Sequence, residues 1–581
     1  MSHSSVFVRG QSLQQIYQQV KKPPNENHDR VFDEMRFPIP EDVNRNLQGL
    51  PYCPNDNLQE SVIDEPLDPH STQTSFEDAS SPSSFLVYDS SHPQRADRQS
   101  RDGLIFNSRF ECGNLDRVYR RSPSLTEGVA TVHRVYDLWL RPDRSSSPHT
   151  QWFYFGVDNI DPFVDFTFNI VNLVKPSSLY ATGMRVLMYD ERQGWHRGGR
   201  VRGYGANSFR DKKTSNPFYT LSFDFQANED QRWMYMAYSY PYSYTRLQQY
   251  LDSISAEIGH MDHCRRDLLC RSFSGNNVDV LTITDFTAGQ DISSRSCAVI
   301  TGRVHPGEPN SSWIMEGIIS FLIGSSPSAR RLRQMFIFTI IPMLNPDGVI
   351  DGSYRTGGSA TGSDLNRVWH NPSRRNHPTI FATKMLMKRL SKERPIHFFI
   401  DLHGHSRRHN MFMYGCPPTQ PTVVHAERIL PRMLWRLADN FSFQDCRFEI
   451  QKCKKNTARA VVSREFACIN SYTLEASFAG SNQSHRSGLH YNQRDYREMG
   501  ERLCEGLLRY SDDQYRDEYE CAHRELLLYY PETNEIVFDP HKSFCEKEKE
   551  GLVETSKRIR MNRAKSIRKH NLKIDKIFPQ R

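Results

Sequence analysis

The stretch Gly302-Arg303-Val304-His305-Pro306-Gly307-Glu308 places an imidazole and a carboxylate with two residues between them, directly after an apolar, strand-like segment. Ninety-five residues after Glu308 (403 − 308), a second apolar run ends in His403-Gly404-His405. Two imidazoles and one carboxylate form a ligand set that zinc accepts while keeping a fourth position for water, whose pKa then falls to about 7. The pattern predicts a hydrolytic site that holds one zinc ion per chain on His305, Glu308 and His403.

Each predicted ligand follows a predicted strand, and ligand sites of open α/β sheets gather at the carboxyl ends of strands. We therefore expect the three side chains to converge. His405 is the competing third ligand. Because successive positions of an extended chain alternate in direction, we expect only one of His403 and His405 to face the metal.

The chain has two regions that differ in the pattern of their apolar residues. Between Gly103 and about Tyr242, short runs such as Val164–Ile170 are apolar at every second position, which predicts an antiparallel β-sandwich. Beyond Val278, apolar strands alternate with amphipathic helices, which predicts an α/β domain with a mixed sheet flanked by helices. The predicted strands of this second part are 278–283, 297–301, 336–341, 398–402 and 472–474. One predicted helix begins near 311, and a later one covers about 496–508.

Composition divides the chain into four predicted segments: 1–102, a disordered or loosely attached leader; 103–245, the sandwich; 246–512, the α/β domain; and 513–581, a C-terminal extension. The last 25 residues hold ten Lys or Arg and one acid, a net charge of +9, so the rest of the chain sums to about −2 against the total of +7. This basic tail fits a solvated or nuclear-import segment, or a contact surface for an acidic partner.

The composition also favours some locations over others. No apolar run approaches the roughly 18 residues that span a bilayer, and the amino terminus lacks a charged segment followed by an apolar one. We expect a soluble intracellular protein without membrane insertion. We expect no nucleic-acid partner.

A zinc hydrolase needs a general base, and Glu475 at the end of the apolar run 471–475 is the candidate. Arg355, after a turn-rich segment, is the candidate that stabilises an oxyanion. Asn366 and Arg367 offer a fork for a planar carboxylate.

These residues, in this order, resemble the zinc carboxypeptidases of the M14 type, and in particular the cytosolic carboxypeptidases. The resemblance covers about 70% of the chain, from about Gly103 to Leu508, and includes upstream segments typical of the sandwich domain of cytosolic members. Within the family, the stretch 471–478 is most similar to the cytosolic carboxypeptidase 6 subgroup. The blocks that carry the resemblance are 302–308, 342–349, 364–367, 403–406 and 412–415.

The resemblance implies a zinc carboxypeptidase-like fold, zinc on the predicted ligands, Glu475 as general base and Arg355 at the oxyanion. It implies that Asn366 and Arg367 hold the terminal carboxylate of the substrate. Family members remove C-terminal glutamates, including those of polyglutamate side chains on tubulin. The implied partners are polyglutamylated tubulin or other proteins with acidic C-termini, in the cytoplasm, with association to microtubules, cilia or flagella as a further expectation.

Selection of an acidic terminal residue requires a cation in the side-chain pocket, and Arg459 matches the pocket position of secreted relatives within one residue. Two departures from those relatives stand out. Gly307 occupies the place where they carry an Arg beside the zinc-binding Glu, and their mobile Tyr has no clear counterpart here.

Two other functions remain open at this stage. One is a zinc deacylase of the aspartoacylase kind, which shares the His-x-x-Glu and the distant His. The other is a catalytically silent scaffold that binds tubulin through its basic tail. The sandwich and the 412–415 block favour the carboxypeptidase over the deacylase, and retention of every catalytic group argues against the scaffold.

Overall fold

The computed structural model describes residues 62–65, 84–91, 103–122, 132–144, 149–258, 262–287, 292–418 and 423–530. The described residues up to Arg524 belong to one compact unit, and Glu525 begins a second, which is described as far as Tyr530. Most of the predicted leader and the whole basic tail lie outside the described residues.

The amino-terminal part consists of two β-sheets that pack face to face. The six-stranded sheet has the order β1-β3-β4-β6-β10-β9, and the five-stranded sheet has the order β2-β5-β11-β7-β8. The strands are β1 Ser84–Asp89, β2 Ile105–Asn107, β3 Arg117–Arg121, β4 Val132–Trp139, β5 Tyr154–Asp158, β6 Val164–Leu173, β7 Val186–Asp190, β8 Gly194–Gly198, β9 Arg200–Arg210, β10 Pro217–Phe225 and β11 Met234–Ala237.

Aromatic residues fill the space between these two sheets. The ring of Phe168 on β6 lies 5.7 Å from that of Phe106 on β2 and 6.2 Å from that of Phe155 on β5, centroid to centroid. All three side chains are buried. The apolar residues at every second position of β6 therefore lie on the face that packs against the opposite sheet, as the sequence predicts.

Two details of the sandwich differ from the prediction. Ser84–Asp89, placed in the leader by the sequence, pairs with β3 as an edge strand, so sandwich structure begins before Gly103. The sandwich is also not wholly antiparallel, because β4 and β6 run parallel. Between β4 and β6 the chain forms β5 in the other sheet. When it comes back to the first sheet, β6 runs in the same direction as β4.

The second part is built on a mixed seven-stranded sheet in the order β12-β13-β15-β14-β16-β18-β17. Strands β15, β14, β16 and β18 are mutually parallel and carry antiparallel neighbours on both sides. The strands are β12 Cys264–Arg271, β13 Asn277–Ile283, β14 Ser296–Gly302, β15 Phe336–Ile341, β16 Ile396–His405, β17 Met411–Tyr414 and β18 Asn470–Ser477. The predicted α/β fold class with a mixed sheet is confirmed.

Helices accompany this sheet, and several of them pack against it. They are α1 Tyr244–Ile258, α2 Asn310–Ile323, α3 Pro327–Met335, α4 Pro346–Asp351, α5 Pro378–Glu393, α6 Ala426–Leu437, α7 Ala458–Glu465, α8 Gln493–Ser511 and α9 Arg516–Tyr529. Helices α2 and α8 approach closely through Gly317 and Gly500, because a Cβ at Gly500 would lie 2.3 Å from the carbonyl oxygen of Ile314. Among the described residues, no helix combines the length and apolar character needed to cross a bilayer.

The order of the parallel strands determines where the site forms. Strand β14 pairs with β16, and β16 pairs with β18, all in one direction. Their carboxyl ends therefore lie side by side at one edge of the sheet. The loop that follows β14 carries His305 and Glu308, β16 carries His403 close to its end, and β18 carries Glu475.

Candidate metal centre and active site

The loop that carries His305 and Glu308 is held by the buried side chain of Arg303. Its Nε donates to the carbonyl oxygen of Pro306 at 2.8 Å, and its Nη1 donates to Ser312 Oγ at 3.0 Å. Arg303 itself has a φ of +56° in the left-handed region. The turn is thus fixed by contacts to the protein, and both ligand side chains are buried.

The three predicted ligands converge, with their ligand atoms within 4.8 Å of one another. His305 Nδ1 lies 3.1 Å from Glu308 Oε1, and His403 Nδ1 lies 2.9 Å from Glu308 Oε2. On the far side of each ring, His305 Nε2 lies 3.1 Å from Asp364 Oδ1, and His403 Nε2 lies 2.8 Å from Asp401 Oδ2. Carboxylates at both Nε2 atoms favour hydrogens there and lone pairs at both Nδ1 atoms.

This donor set fits zinc. Two imidazole nitrogens, each oriented by an outer carboxylate, together with one carboxylate oxygen, are the ligands of hydrolytic zinc sites that keep an open position. The charges support the same conclusion. Burial raises the pKa of Glu308, but His305 and His403 outweigh it and hold that pKa well below its usual range.

The outer carboxylate Asp364 joins two parts of the site. Burial alone raises its pKa, yet His305 and Arg355 together bring the pKa well below the usual range. Arg355 Nε donates to Asp364 Oδ2 at 2.8 Å. Asp364 therefore stays ionised and ties the predicted oxyanion arginine to a metal ligand.

Glu475 lies beside the predicted metal ligands because strand pairing puts it there. It is the register partner of His403 on the neighbouring parallel strand, so the two side chains share one face of the sheet. Burial raises the pKa of Glu475 to about 7, helped by the charge of Glu308 and opposed by the charge of His403. A carboxyl group that titrates near neutral pH suits a general base.

The backbone around Arg355 is held by a residue of the sandwich. The carboxylate of Asp143 accepts the backbone N–H groups of Tyr354, Arg355 and Thr356, each at 2.7 Å. Asp143 is buried. The sandwich thereby helps to fix the segment that presents Arg355.

Asn366 and Arg367 lie at the same site, but they differ in how far their polar groups are already bonded to protein. Asn366 Oδ1 accepts the backbone N–H of Ala458 at 2.8 Å, and its Nδ2 donates to Asp401 Oδ2 at 3.5 Å, so both ends of the amide contact protein. Arg367 is partly exposed, and its Nη1 lies 3.8 Å from Asp364 Oδ2. Of the predicted pair, Arg367 has more capacity left for a substrate carboxylate.

Arg459 lies at the start of α7 with its side chain buried. Its guanidinium carbon lies 5.3 Å from the ring centroid of Tyr414, and its Nε has no hydrogen-bond partner among the described residues. Burial lowers its pKa, and Glu475 is among the nearby acids that oppose that change. A buried cation with spare donors near Glu475 is consistent with the predicted pocket role, which stays a prediction.

The reason given for choosing His403 over His405 is wrong, although His403 is the residue that joins the cluster. Positions i and i+2 of a strand share a face, so alternation does not separate these two residues. The difference arises at the end of β16, where the chain turns. His405 Nδ1 accepts the backbone N–H of Arg408 at 3.1 Å, and its ring packs 5.3 Å from that of Phe412.

Sequence reasoning did not assign roles to Asp401, Asp143 or Lys175. Asp401 carried a usable signal, since an acid two residues before a ligand histidine in an apolar strand suggests an outer carboxylate. Asp143 and Lys175 belong to the sandwich and carried none. They come to the site only through packing of the two parts of the chain.

Comparison with known proteins agrees with this geometry. Residues 247–533 match the zinc carboxypeptidase family (peptidase M14), and residues 106–238 match the cytosolic carboxypeptidase N-terminal domain. Cytosolic carboxypeptidase 2 of Mus musculus is 42% identical over 434 residues, which cover 73% of this chain and 49% of the relative. The chain belongs to the cytosolic carboxypeptidase family. The family predicted from the sequence is confirmed.

Other cytosolic carboxypeptidases show how far the similarity extends. Cytosolic carboxypeptidase 3 of Mus musculus is 40% identical over 72% of this chain and 41% of the relative. The chain spans about half the length, or less, of these curated relatives. Because they are members 1 to 3 of the family, the subgroup predicted from residues 471–478 stays a prediction.

Solved structures support the fold. The metallo-carboxypeptidase from Burkholderia cenocepacia aligns with a TM-score of 0.55 and 22% identity, over 70% of this chain and 98% of that one. The metallo-carboxypeptidase from Pseudomonas aeruginosa, solved with (2-guanidinoethylmercapto)succinic acid, also gives 0.55 and 22%, over 71% and 100%. At this identity the likeness establishes the fold of this chain and no more.

Proposed function

We propose that this protein is a zinc-dependent metallocarboxypeptidase that removes C-terminal glutamates and shortens polyglutamate side chains on tubulin. The observation that carries the proposal is the convergence of His305, Glu308 and His403 with Glu475 in register beside them. Zinc held by the first three residues supplies Lewis acidity and makes water a better nucleophile near neutral pH.

The side chains divide the reaction among them. Glu475 takes a proton from the attacking water and returns it to the leaving amine, a role for which its buried position in register with His403 is suited. Arg355 donates hydrogen bonds to the oxygen that becomes negative in the transition state. It can do so from a fixed position because Asp143 holds its backbone and Asp364 holds its Nε.

Binding of a free terminal carboxylate makes the enzyme an exopeptidase. Arg367, with Asn366 beside it, holds that carboxylate. Lys454 adds positive charge nearby: burial lowers its pKa, and the neighbouring charges of Arg367 and Arg355 lower it further. Arg459 holds the side-chain carboxylate of the terminal residue. Two separated cationic positions, one for each carboxylate, support a preference for glutamate.

The location and partner follow from the same proposal. The substrate is polyglutamylated tubulin or another protein with an acidic C-terminus, met in the cytoplasm, on microtubules or in cilia. The basic tail after Lys557, which lies outside the described residues, supplies a non-specific attraction to acidic filaments.

Mass spectrometry of polyglutamylated tubulin tests the proposal directly. Wild-type protein with zinc removes successive glutamates, and the Glu475→Gln variant leaves the chains intact. A synthetic peptide with a free C-terminal Glu and its C-terminal amide separate this activity from a deacylase, because an exopeptidase ignores the amide. Equal action on both peptides, or shortening by the variant, refutes the proposal.

A further inference from the structure

Lys175 is a sandwich residue whose amino group lies against the α/β domain. It follows β6, and Tyr204 Oη donates to its carbonyl oxygen at 2.5 Å, which holds the backbone. Its Nζ donates to Tyr354 Oη at 2.5 Å and to Ser406 Oγ at 2.7 Å. The same nitrogen lies 4.4 Å from the centroid of the Tyr354 ring. The side chain is thus held in one place.

The positive charge of Lys175 lacks an acidic partner. Both groups that accept its hydrogen bonds are neutral hydroxyls, and within the part of the chain that the structure describes no carboxylate forms an ion pair with it. An ammonium group has three donors, so one remains after these two bonds. The side chain is partly exposed. A ligand that carries negative charge can therefore reach the remaining donor.

Both partners of Lys175 border the metal centre. The carbonyl oxygen of Tyr354 accepts the backbone N–H of Gly307, inside the metal-binding loop, at 2.8 Å. The Tyr354 ring also fills the space beside that glycine, since a Cβ on Gly307 would lie 2.7 Å from Tyr354 Cδ2. Ser406 follows the ligand His403 by three residues. Lys175 is therefore anchored to one residue that packs on the loop of His305 and Glu308 and to another that follows His403.

The position of Lys175 differs from that of Arg367. Arg367 is anchored at Asp364 and neighbours Lys454. Lys175 instead donates to Ser406 Oγ at 2.7 Å, directly after the end of β16. The two cations are thus anchored to different chain segments of the same site. Because they are anchored to different segments, the two cations can serve two different carboxylates of one substrate.

We infer that Lys175 binds the side-chain carboxylate of the substrate residue on the amino side of the scissile bond, so that the enzyme selects chains ending in two successive acidic residues. The inference rests on the proposed function and adds a second recognition step to it. A sandwich residue then takes part in substrate selection, which gives this domain a role in specificity.

The test compares two peptides that differ only in the penultimate residue, one ending in Glu-Glu and the other in Gln-Glu. Glu and Gln have the same shape, so the ratio of kcat/KM reports the charge. Wild-type protein favours Glu-Glu about tenfold, which is about 1.4 kcal/mol. Lys175→Met brings the ratio close to one, Lys175→Arg retains most of it, and raising the salt concentration reduces it in the wild type.

Two further variants separate charge from folding. Lys175→Gln keeps a polar group that can bond the two hydroxyls while removing the charge, and it loses the preference in the same way. Lys388→Met removes an exposed lysine of α5 and keeps the wild-type ratio. Thermal unfolding of each variant identifies any that is not folded.

The outcomes have distinct meanings. Equal cleavage of both peptides by wild-type protein overturns the role of Lys175 and leaves the proposed function intact. A Lys175→Gln variant that loses rate on both peptides but keeps the tenfold ratio shows a purely structural residue, which also overturns the inference. Failure of the wild-type protein to cleave either peptide overturns the proposed function and the inference together.

Discussion

Glu475→Gln is expected to lower kcat sharply while stabilising the metal-free protein above neutral pH. Burial raises the pKa of Glu475 from an ordinary value of 4.5 to about 7. Between these values the folded state binds a proton that the unfolded state has released. The stability that this group contributes is therefore present below pH 4.5 and is lost as the pH rises through about 7.

A rise in pKa of this size corresponds to about 3 kcal/mol of unfolding free energy. Gln is neutral at every pH, so the variant does not lose unfolding free energy as the pH rises. The difference in unfolding free energy between the variant and the wild type is smallest near pH 4.5 and reaches about 3 kcal/mol above pH 7.5. In the zinc-loaded enzyme the same substitution lowers kcat by about 10² to 10⁴, because the proton acceptor is gone.

Urea unfolding of the metal-free proteins at pH 5 and pH 8 measures the stability difference, and peptide hydrolysis measures kcat. Glu316→Gln is the matched control. Glu316 is also buried, but it pairs with Arg246 at 3.1 Å and Arg497 at 3.0 Å, so its loss destabilises the protein by about 1 to 3 kcal/mol. A Glu475→Gln variant that is less stable than the wild type at pH 8, or a difference independent of pH, refutes the reasoning.

Asp143→Asn replaces a carboxylate that accepts three backbone N–H groups, so we expect Arg355 to lose its fixed position and kcat to fall about tenfold to a hundredfold with little change in KM. An equal change in KM would contradict this positioning role. Gly307→Ala places a Cβ 2.7 Å from the carbonyl oxygen of Tyr354, so the metal-binding loop shifts and the zinc content of the purified protein falls, as measured by elemental analysis. Full zinc occupancy in that variant would show that the loop tolerates the shift. Arg459→Ala is expected to cost ten- to a hundredfold in preference for glutamate over a neutral terminal residue, measured as a ratio of kcat/KM. Equal loss on both substrates would remove Arg459 from the pocket.

Much of the α/β domain was readable from sequence. The predicted strands 297–301 and 336–341 appear as Ser296–Gly302 and Phe336–Ile341. Parallel strands buried on both faces are continuous apolar runs, which makes them easy to recognise. Strand Cys264–Arg271 was missed because it lies at the edge of the sheet and carries charged, partly exposed residues.

The sequence by itself indicated the candidate metal ligands and their chemistry, because His305 and Glu308 are close along the chain and His403 lies near the end of a recognisable strand. The tertiary structure decided what surrounds that chemistry. Asp143 lies 212 residues before Arg355 (355 − 143), and Lys175 lies 231 residues before Ser406 (406 − 175). Contacts over such separations leave no local pattern, since they depend on how the sandwich packs against the sheet, and packing is a property of the folded chain as a whole.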